Sequence, residues 1–491
     1  MKKYNKICWA LILISLFNIQ PTMALEKNVV IPESSYHAIL NRLDALQKRV
    51  EELEREKETS QKKTEQVNRN IDDIYDTLDQ VETKSIKDRL DWGAELRTRV
   101  DNFRVTDQYN ISTDEKDDFS ADNRWTSRFR LNMNAEIIKG LNFHGRLTVY
   151  KNWANIERTI NYADPNTAHV PSDTSLKLDR AYIDWVVPNI PIPIALTIGR
   201  QPSSEGPASE FKENRMRQST YPVLLFDGEA NGIVATIGLE RYLHLKNSGL
   251  RLAYGKGYQS QDDKTIYLDS RYGIDDLNVY GTFFESEIPY MPDSLMVLSY
   301  VRGENFVDNP FAPGKNLGDM DLFGVHLQAP YILNSDFDIF MSWGINRSHP
   351  NGKTVNMDMG IGPDGNPVIM PAGLLNSDGH KQHTGWAVYA GLRYNISLPQ
   401  LNNPKFGFEY NHGSRYWFSY TQGSIELYNK LATRGDVFDF YYIQPINKYL
   451  FLRTGYTILD YDYSGSGYHF GQPVSSDEEL RDFYFLIDCR F

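Results

Sequence analysis

The chain reads as an all-β transmembrane protein: an antiparallel up-and-down β-barrel of about 16 strands, preceded by an N-terminal α-helical coiled-coil segment. Three observations predict this. From Leu90 onward, apolar and polar residues alternate with period two, and the polar face carries many charges. The connections between alternating segments switch regularly between short and long. Before Leu90 the period is instead that of a heptad.

The N-terminus has the plan of an export signal. Met1-Lys2-Lys3-Tyr4-Asn5-Lys6 is basic, residues 7–17 are apolar, and Thr22-Met23-Ala24 resembles a small-x-small cleavage site. The expected boundaries are a signal peptide over 1–24, a periplasmic coiled-coil stalk over 25–89 and a transmembrane barrel over 90–491. The apolar run is short for a spanning helix, and Cys8 sits too early in it, without small residues before it, for a lipid-anchor site.

Residues 36–85 hold an unbroken 3-4 spacing. Tyr36, Leu43, Val50, Lys57, Thr64, Ile71, Leu78 and Ser85 fall at a; Ile39, Leu46, Leu53, Ser60, Val67, Ile74 and Val81 fall at d. The stretch has neither Gly nor Pro and is dense in charge. As a straight helix it would extend about 75 Å at 1.5 Å per residue. β-branched Val67, Ile74 and Val81 at d favour a trimer over a parallel dimer; a solitary amphipathic helix is the alternative.

The strand pattern then begins. Trp92, Ala94, Leu96 and Val100 alternate with Glu95, Arg97, Arg99 and Asp101. In the next segment Trp125, Phe129, Leu131, Met133, Ala135 and Ile137 point one way, and Arg124, Arg128, Arg130, Asn132, Asn134 and Glu136 the other. A sandwich core has no use for so many charges on one inner face; a wet lumen does. The remaining segments are 142–151, 176–187, 194–200, 230–240, 249–258, 276–287, 294–302, 319–329, 336–346, 384–396, 404–413, 435–444, 449–461 and 482–491. The long connections include 103–122, 152–175, 201–229, 347–383, 414–434 and 462–481. In the last segment Phe483, Phe485, Ile487, Cys489 and Phe491 share a face, with Leu486 the exception on the other.

Composition agrees with this. Mean hydropathy is −0.50, yet Tyr 31, Phe 24 and Trp 8 suit aromatic belts at a membrane interface. Formal net charge is −12, and losing Lys2, Lys3 and Lys6 with the signal would take it to −15. An acidic chain is a poor partner for nucleic acid. Of the two cysteines, only Cys489 would remain, on the apolar face, so no intramolecular disulfide is expected.

The signal, the heptad stalk, Leu178-Asp179-Arg180-Ala181-Tyr182-Ile183-Asp184-Trp185, Thr197-Ile198-Gly199-Arg200-Gln201 and the terminal Phe491 together resemble a Gram-negative outer-membrane porin. The arrangement is similar to porin families with an N-terminal periplasmic coiled coil. The resemblance implies a bacterial outer-membrane location and a homotrimer joined through barrel and coiled coil. It also implies passive diffusion of small hydrophilic solutes or ions, with no enzyme activity and no cofactor. The stalk would strengthen trimerisation or space the barrel from peptidoglycan or a periplasmic partner. In known porins the third external loop folds inward and narrows the bore, so the loop after Arg200 becomes the constriction candidate. It offers Glu205, Glu210 and Glu213; lumen parity on the first five strands offers Arg97, Arg99, Arg128, Arg130, Arg146, Arg180 and Arg200. Facing each other across an eyelet, these groups would impose a transverse field that selects among polar solutes. Two plainer readings stay open: the loop lies outward, or the arginines only pair across strands and hold register.

Other motifs point nowhere. Gly360-Ile361-Gly362-Pro363-Asp364-Gly365 matches G-x-G-x-x-G but lacks strand–turn–helix context. Asp358 with Asp364, and Asp460 with Asp462, lack EF-hand spacing. His144 and His326 fall at lumen parity without zinc spacing. The rival functions are a barrel sleeve or structural tether for a partner such as an electron-transfer cytochrome, and an outer-membrane hydrolase.

Overall fold

A computed structural model describes residues 44, 48–53, 55, 57, 90–153, 175–259, 274–308, 314–421 and 428–491. The expected signal peptide and nearly all of the expected stalk lie outside these residues. Those described between 44 and 57 are helical, and ion pairs join Asp44 to Lys48 and Arg49 to Glu52 on their surface. Two compact units divide the chain, Met1–Lys84 and Ser85–Phe491.

The second unit is built from strands. In order they are β1 (Leu90–Asn110), β2 (Glu115–Ile138), β3 (Leu141–Asn152), β4 (Ser175–Val186), β5 (Ile194–Gln201), β6 (Phe226–Asp227) and β7 (Ala230–Gly238). There follow β8 (Gly249–Tyr258), β9 (Leu277–Ser286), β10 (Leu295–Val307), β11 (Asn316–Ala329), β12 (Phe337–Pro350), β13 (Val355–Ile361) and β14 (Pro367–Ala372). The last are β15 (Thr384–Asn395), β16 (Lys405–Gly413), β17 (Tyr420–Thr421), β18 (Gly435–Pro445), β19 (Leu450–Tyr463) and β20 (Ser475–Arg490). Two short helices, α1 (Ser209–Glu213) and α2 (Glu240–Leu243), sit in connections.

Sixteen of these strands close into one antiparallel barrel, each pairing with its sequence neighbour, and β20 pairs with β1. Closure satisfies both edges. The seam runs from Glu95↔Arg490 to Thr106↔Glu479, and Ala94 and Phe491 exchange backbone hydrogen bonds of 2.8 and 3.0 Å. Every one of the sixteen alternating segments in the sequence is a barrel strand.

Alternation survives as a radial sorting of side chains. Leu96, Phe129, Leu178, Ile233, Leu298, Phe323, Trp343, Phe440 and Ile487 are exposed on the outside, as are apolar side chains from the other barrel strands. A continuous apolar belt of this size covers itself with lipid. Cross-strand aromatic pairs stud it: Trp125–Trp153 at 5.2 Å, Tyr254–Tyr280 at 5.3 Å and Tyr300–Phe323 at 4.8 Å between ring centroids. Leu486, the exception in the last strand, faces inward and packs with Tyr441, Ile443, Phe451 and Tyr484.

Two expected loops are shortened by ladders, the first to residues 111–114 and the second to residues 464–474. β1 and β2 stay paired out to Asn110↔Glu115, and β19 and β20 out to Tyr463↔Ser475. At 21, 24, 14 and 16 residues these strands exceed the roughly 9–11 that cross a bilayer. Beyond the lipid both faces meet water, so the backbone ladder continues while the apolar alternation stops. Part of the 347–383 connection is likewise a hairpin, β13–β14, and the Gly360–Gly365 motif forms its tip, with Gly362 N–H donating to Asn366 O at 2.8 Å.

Candidate functional site

The third long connection, residues 202–229, runs inside the barrel. Of its residues only Met216 is exposed. Its start is a tight fold: a Cβ on Gly206 would lie 1.9 Å from the Tyr221 carbonyl oxygen. The sequence then gives one turn of helix, α1, closed by Asn214 in the left-handed region at φ 49°. Leu225 seats where wall residue Gly324 has no side chain, and a Cβ there would meet Leu225 Cδ1 at 2.1 Å. Trp417, from the connection before β18, fills the equivalent space at Gly344. The two connections zip together through a parallel pairing of β6 with β17. Around them Phe211, Val223, Leu224, Leu322, Phe340 and Tyr389 form an apolar core within the lumen.

Charge fixes this loop to the wall. Glu213 is fully buried and ion-paired with Arg97, with Arg453 at 3.0 Å and with Arg490 at 3.1 Å. Arg97 also holds Asp488 at 2.6 Å. Glu205 pairs with Arg130 at 2.7 Å and with Arg215, and Arg128 lies 3.6 Å away. Arg215 reaches back to Glu95 at 3.2 Å. Lys212 pairs with Asp439, which also holds Lys430 at 2.6 Å. The Phe211 carbonyl accepts from Arg393 at 2.8 Å. These ties reach β1, β2, β15 and β18–β20, six of the sixteen barrel strands. Buried ions require such mutual satisfaction, because each alone would lose several kcal/mol of hydration.

The residues singled out from sequence divide into groups. The structure brings Arg97 to Glu213, and Arg128 and Arg130 to Glu205. Arg99 pairs instead with wall residues Asp101 at 2.6 Å and Asp482 at 3.1 Å. Arg146 and Arg180 share Glu229, at 2.8 and 2.9 Å. Glu210 makes no ion pair among the described residues and accepts from Gln328 at 2.8 Å. Arg200 is half-buried and makes no ion pair among the described residues. The expected picture of arginines facing acids across open water becomes contact: Arg97, Arg99, Arg128, Arg130 and Arg146 are each less than a tenth exposed. The loop closes the gap because helix α1 delivers Glu213 directly to the arginines. His326, expected to line the lumen, is fully buried and hydrogen-bonded to Ser342 at 2.7 Å and Gln328 at 2.9 Å.

Open space remains on the β7–β10 side. A cavity of about 760 Å³ opens at the long-loop end, lined by Arg200, Phe226, Lys256, Phe306 and His469 among others. A second of about 580 Å³ lies at the short-turn end, lined by Arg217, Arg251, Glu285, Glu287 and Asp293. Between them Tyr221 of the loop meets Phe283 of β9, edge to face at 4.6 Å.

A closed sixteen-strand antiparallel barrel, apolar outside and charged within, is an outer-membrane barrel of porin type. Residues 118–484 match the model of the family described as "Protein of unknown function (DUF3373)", and the chain belongs to that family. No curated protein matches it. Among solved structures, it is similar to a Salmonella typhi OmpF complex with daunomycin at 10% identity and TM-score 0.42, covering 82% of this chain and 97% of that one. It is also similar to Pseudomonas putida OprB at high pH, at 11% and 0.43, covering 82% and 94%. Vibrio cholerae OmpT in a trimer form aligns at 10% and 0.40, covering 82% and 99%. The barrel assignment rests on the strand pairing itself.

Proposed function

We propose that the protein is an outer-membrane porin of restricted bore, passing small hydrophilic solutes or ions by passive diffusion and without catalysis. One observation carries this: the inward loop is pinned to the far wall and leaves two cavities in line along β7–β10, separated by the Tyr221–Phe283 contact. A solute entering at the long-loop end passes that contact and leaves beside Arg217, Arg251 and Glu285. The ion-pair lattice around Glu205 and Glu213 is the constriction's rigid frame, and its arginines bias ion preference. The barrel sits in outer-membrane lipid with the 25–89 stalk on the periplasmic side, and three copies associate through barrel and stalk.

Planar-bilayer conductance of the refolded protein tests the reading. Small, ion-selective steps are expected, enlarged when Tyr221 and Phe283 are both replaced by alanine. A membrane-inserted barrel that stays silent in both forms would sink it. That result would favour the structural tether, a reading to which the near-complete burial of the lattice also lends weight.

A further inference from the structure

The cavity at the long-loop end has a composition that the diffusion reading leaves unused. One side is aromatic. Phe226 meets Tyr420 at 5.6 Å, and Phe306 meets Tyr420 at 5.8 Å and Phe418 at 5.7 Å. Backbone ties hold these rings: Tyr420 N–H donates to Leu225 O at 3.0 Å beside the β6–β17 pairing. The surface is therefore preformed, and the volume of about 760 Å³ falls within the range typical of small-molecule sites.

The opposite side is charged, and its charges do not cancel. Three charged residues are among those lining the cavity: Arg200, Glu229 and Lys256. Glu229 is held by Arg146 at 2.8 Å, Arg180 at 2.9 Å and the Ser204 hydroxyl at 2.5 Å. Lys256 is paired with Asp276. Arg200 has no carboxylate among the described residues, and its Nε is buried without a hydrogen-bond partner. A guanidinium left in that state, in a cavity whose lining also carries aromatic rings, is complementary to one planar anion attached to an apolar ring.

We propose that this cavity is a binding site for aromatic or alicyclic monocarboxylates, the carboxylate on Arg200 and the ring against Phe226, Phe306 and Tyr420. The site deepens the porin reading by giving its entrance a substrate class. A neutral sugar is the poorer fit, because it needs polar partners all round and the aromatic side offers few.

Calorimetric titration of the full-length protein in detergent micelles tests this at neutral pH. The probes are 2-naphthoate, 2-naphthylmethanol and glucose. Naphthoate is expected to bind about tenfold or more tightly than the alcohol, a difference of one charge-assisted contact. Arg200→Gln is expected to abolish that preference and Arg200→Lys to keep part of it. Equal binding of naphthoate and alcohol, a preference for glucose, or an undiminished preference in Arg200→Gln would overturn the site. If Arg200→Gln fails to fold, the comparison of probes on the unaltered protein still decides. Conductance is read separately: binding without conductance removes the porin reading and keeps the site, and conductance without binding does the reverse.

Discussion

Glu213 shows how one side chain sets the geometry of the lumen. It is fully buried, and three guanidiniums point at it. Removing its charge leaves Arg97, Arg453 and Arg490 with Asp488 as the remaining acid beside them. Glu213→Gln keeps the shape and loses the charge, so it is expected to destabilise the folded barrel by about 3 kcal/mol, the scale of an orphaned buried ion. Urea unfolding in detergent measures this, and the added variant Arg97→Gln should restore part of the loss if the two groups are coupled. An uncoupled pair would mean that the lattice is incidental. Strand parity alone placed Arg97, Arg99, Arg128 and Arg130 inward, and the inward loop supplied Glu205 and Glu213. The other half of the lattice, Asp439, Arg453, Asp488 and Arg490, has the same parity on the last three strands. It stayed hidden because period two reveals which face a residue takes and not which neighbour it meets across the lumen. Glu210 shows the same limit, lying one turn from Glu213 yet facing Gln328.

At the scale of elements, the loop 202–229 is held by sockets as much as by ions. Gly324 and Gly344 are wall positions whose missing side chains admit Leu225 and Trp417. Their use is visible only with the partner residues in place. Gly324→Val should displace the loop, and excising residues 209–221 should remove the obstruction altogether. Both are expected to raise single-channel conductance, the excision several-fold; unchanged steps after excision would show that the loop does not limit the bore. The connection between β19 and β20 makes a second, pH-dependent dock. His469 lies there, outside the membrane-spanning strands, against Phe306, Phe418 and Phe470, with no charged hydrogen-bond partner among the described residues and its Nε2 at 2.5 Å from Val307 O. Burial pushes its imidazole down to about 4 from an ordinary 6.5, with Asp308 opposing the shift and Arg434 adding to it. The undocked loop takes up a proton below pH 6.5 and the docked loop refuses it until about 4. Docking is therefore at full strength above pH 6.5 and weakens as pH falls through that window. Limited proteolysis of the 464–474 connection should accelerate on acidification, and His469→Phe should flatten the dependence.

For the molecule as a whole, the fold was legible because lipid outside and water inside impose opposite demands on alternate residues of every strand. That is why all sixteen segments were found and why their outer ends were missed at Asn110, Tyr463 and Ser475, which lie beyond the lipid. The packed apolar core inside the lumen was illegible for a related reason: Leu322, Phe340 and Tyr389 look like misplaced outward residues until loops are known to cover them. The decisive property is thus which side of the cylinder a residue faces, and adjacent positions on one strand test it. Phe440, midway along β18, is 39% exposed on the outside, while Tyr441 beside it is 1% exposed. If the outer face meets hydrocarbon, Phe440→Arg should cost about 2–4 kcal/mol when the barrel folds into lipid vesicles. Phe440→Leu should be nearly neutral there. A water-facing surface would tolerate the arginine within about 0.5 kcal/mol, so a neutral Phe440→Arg would place this face in water and remove the membrane from the account.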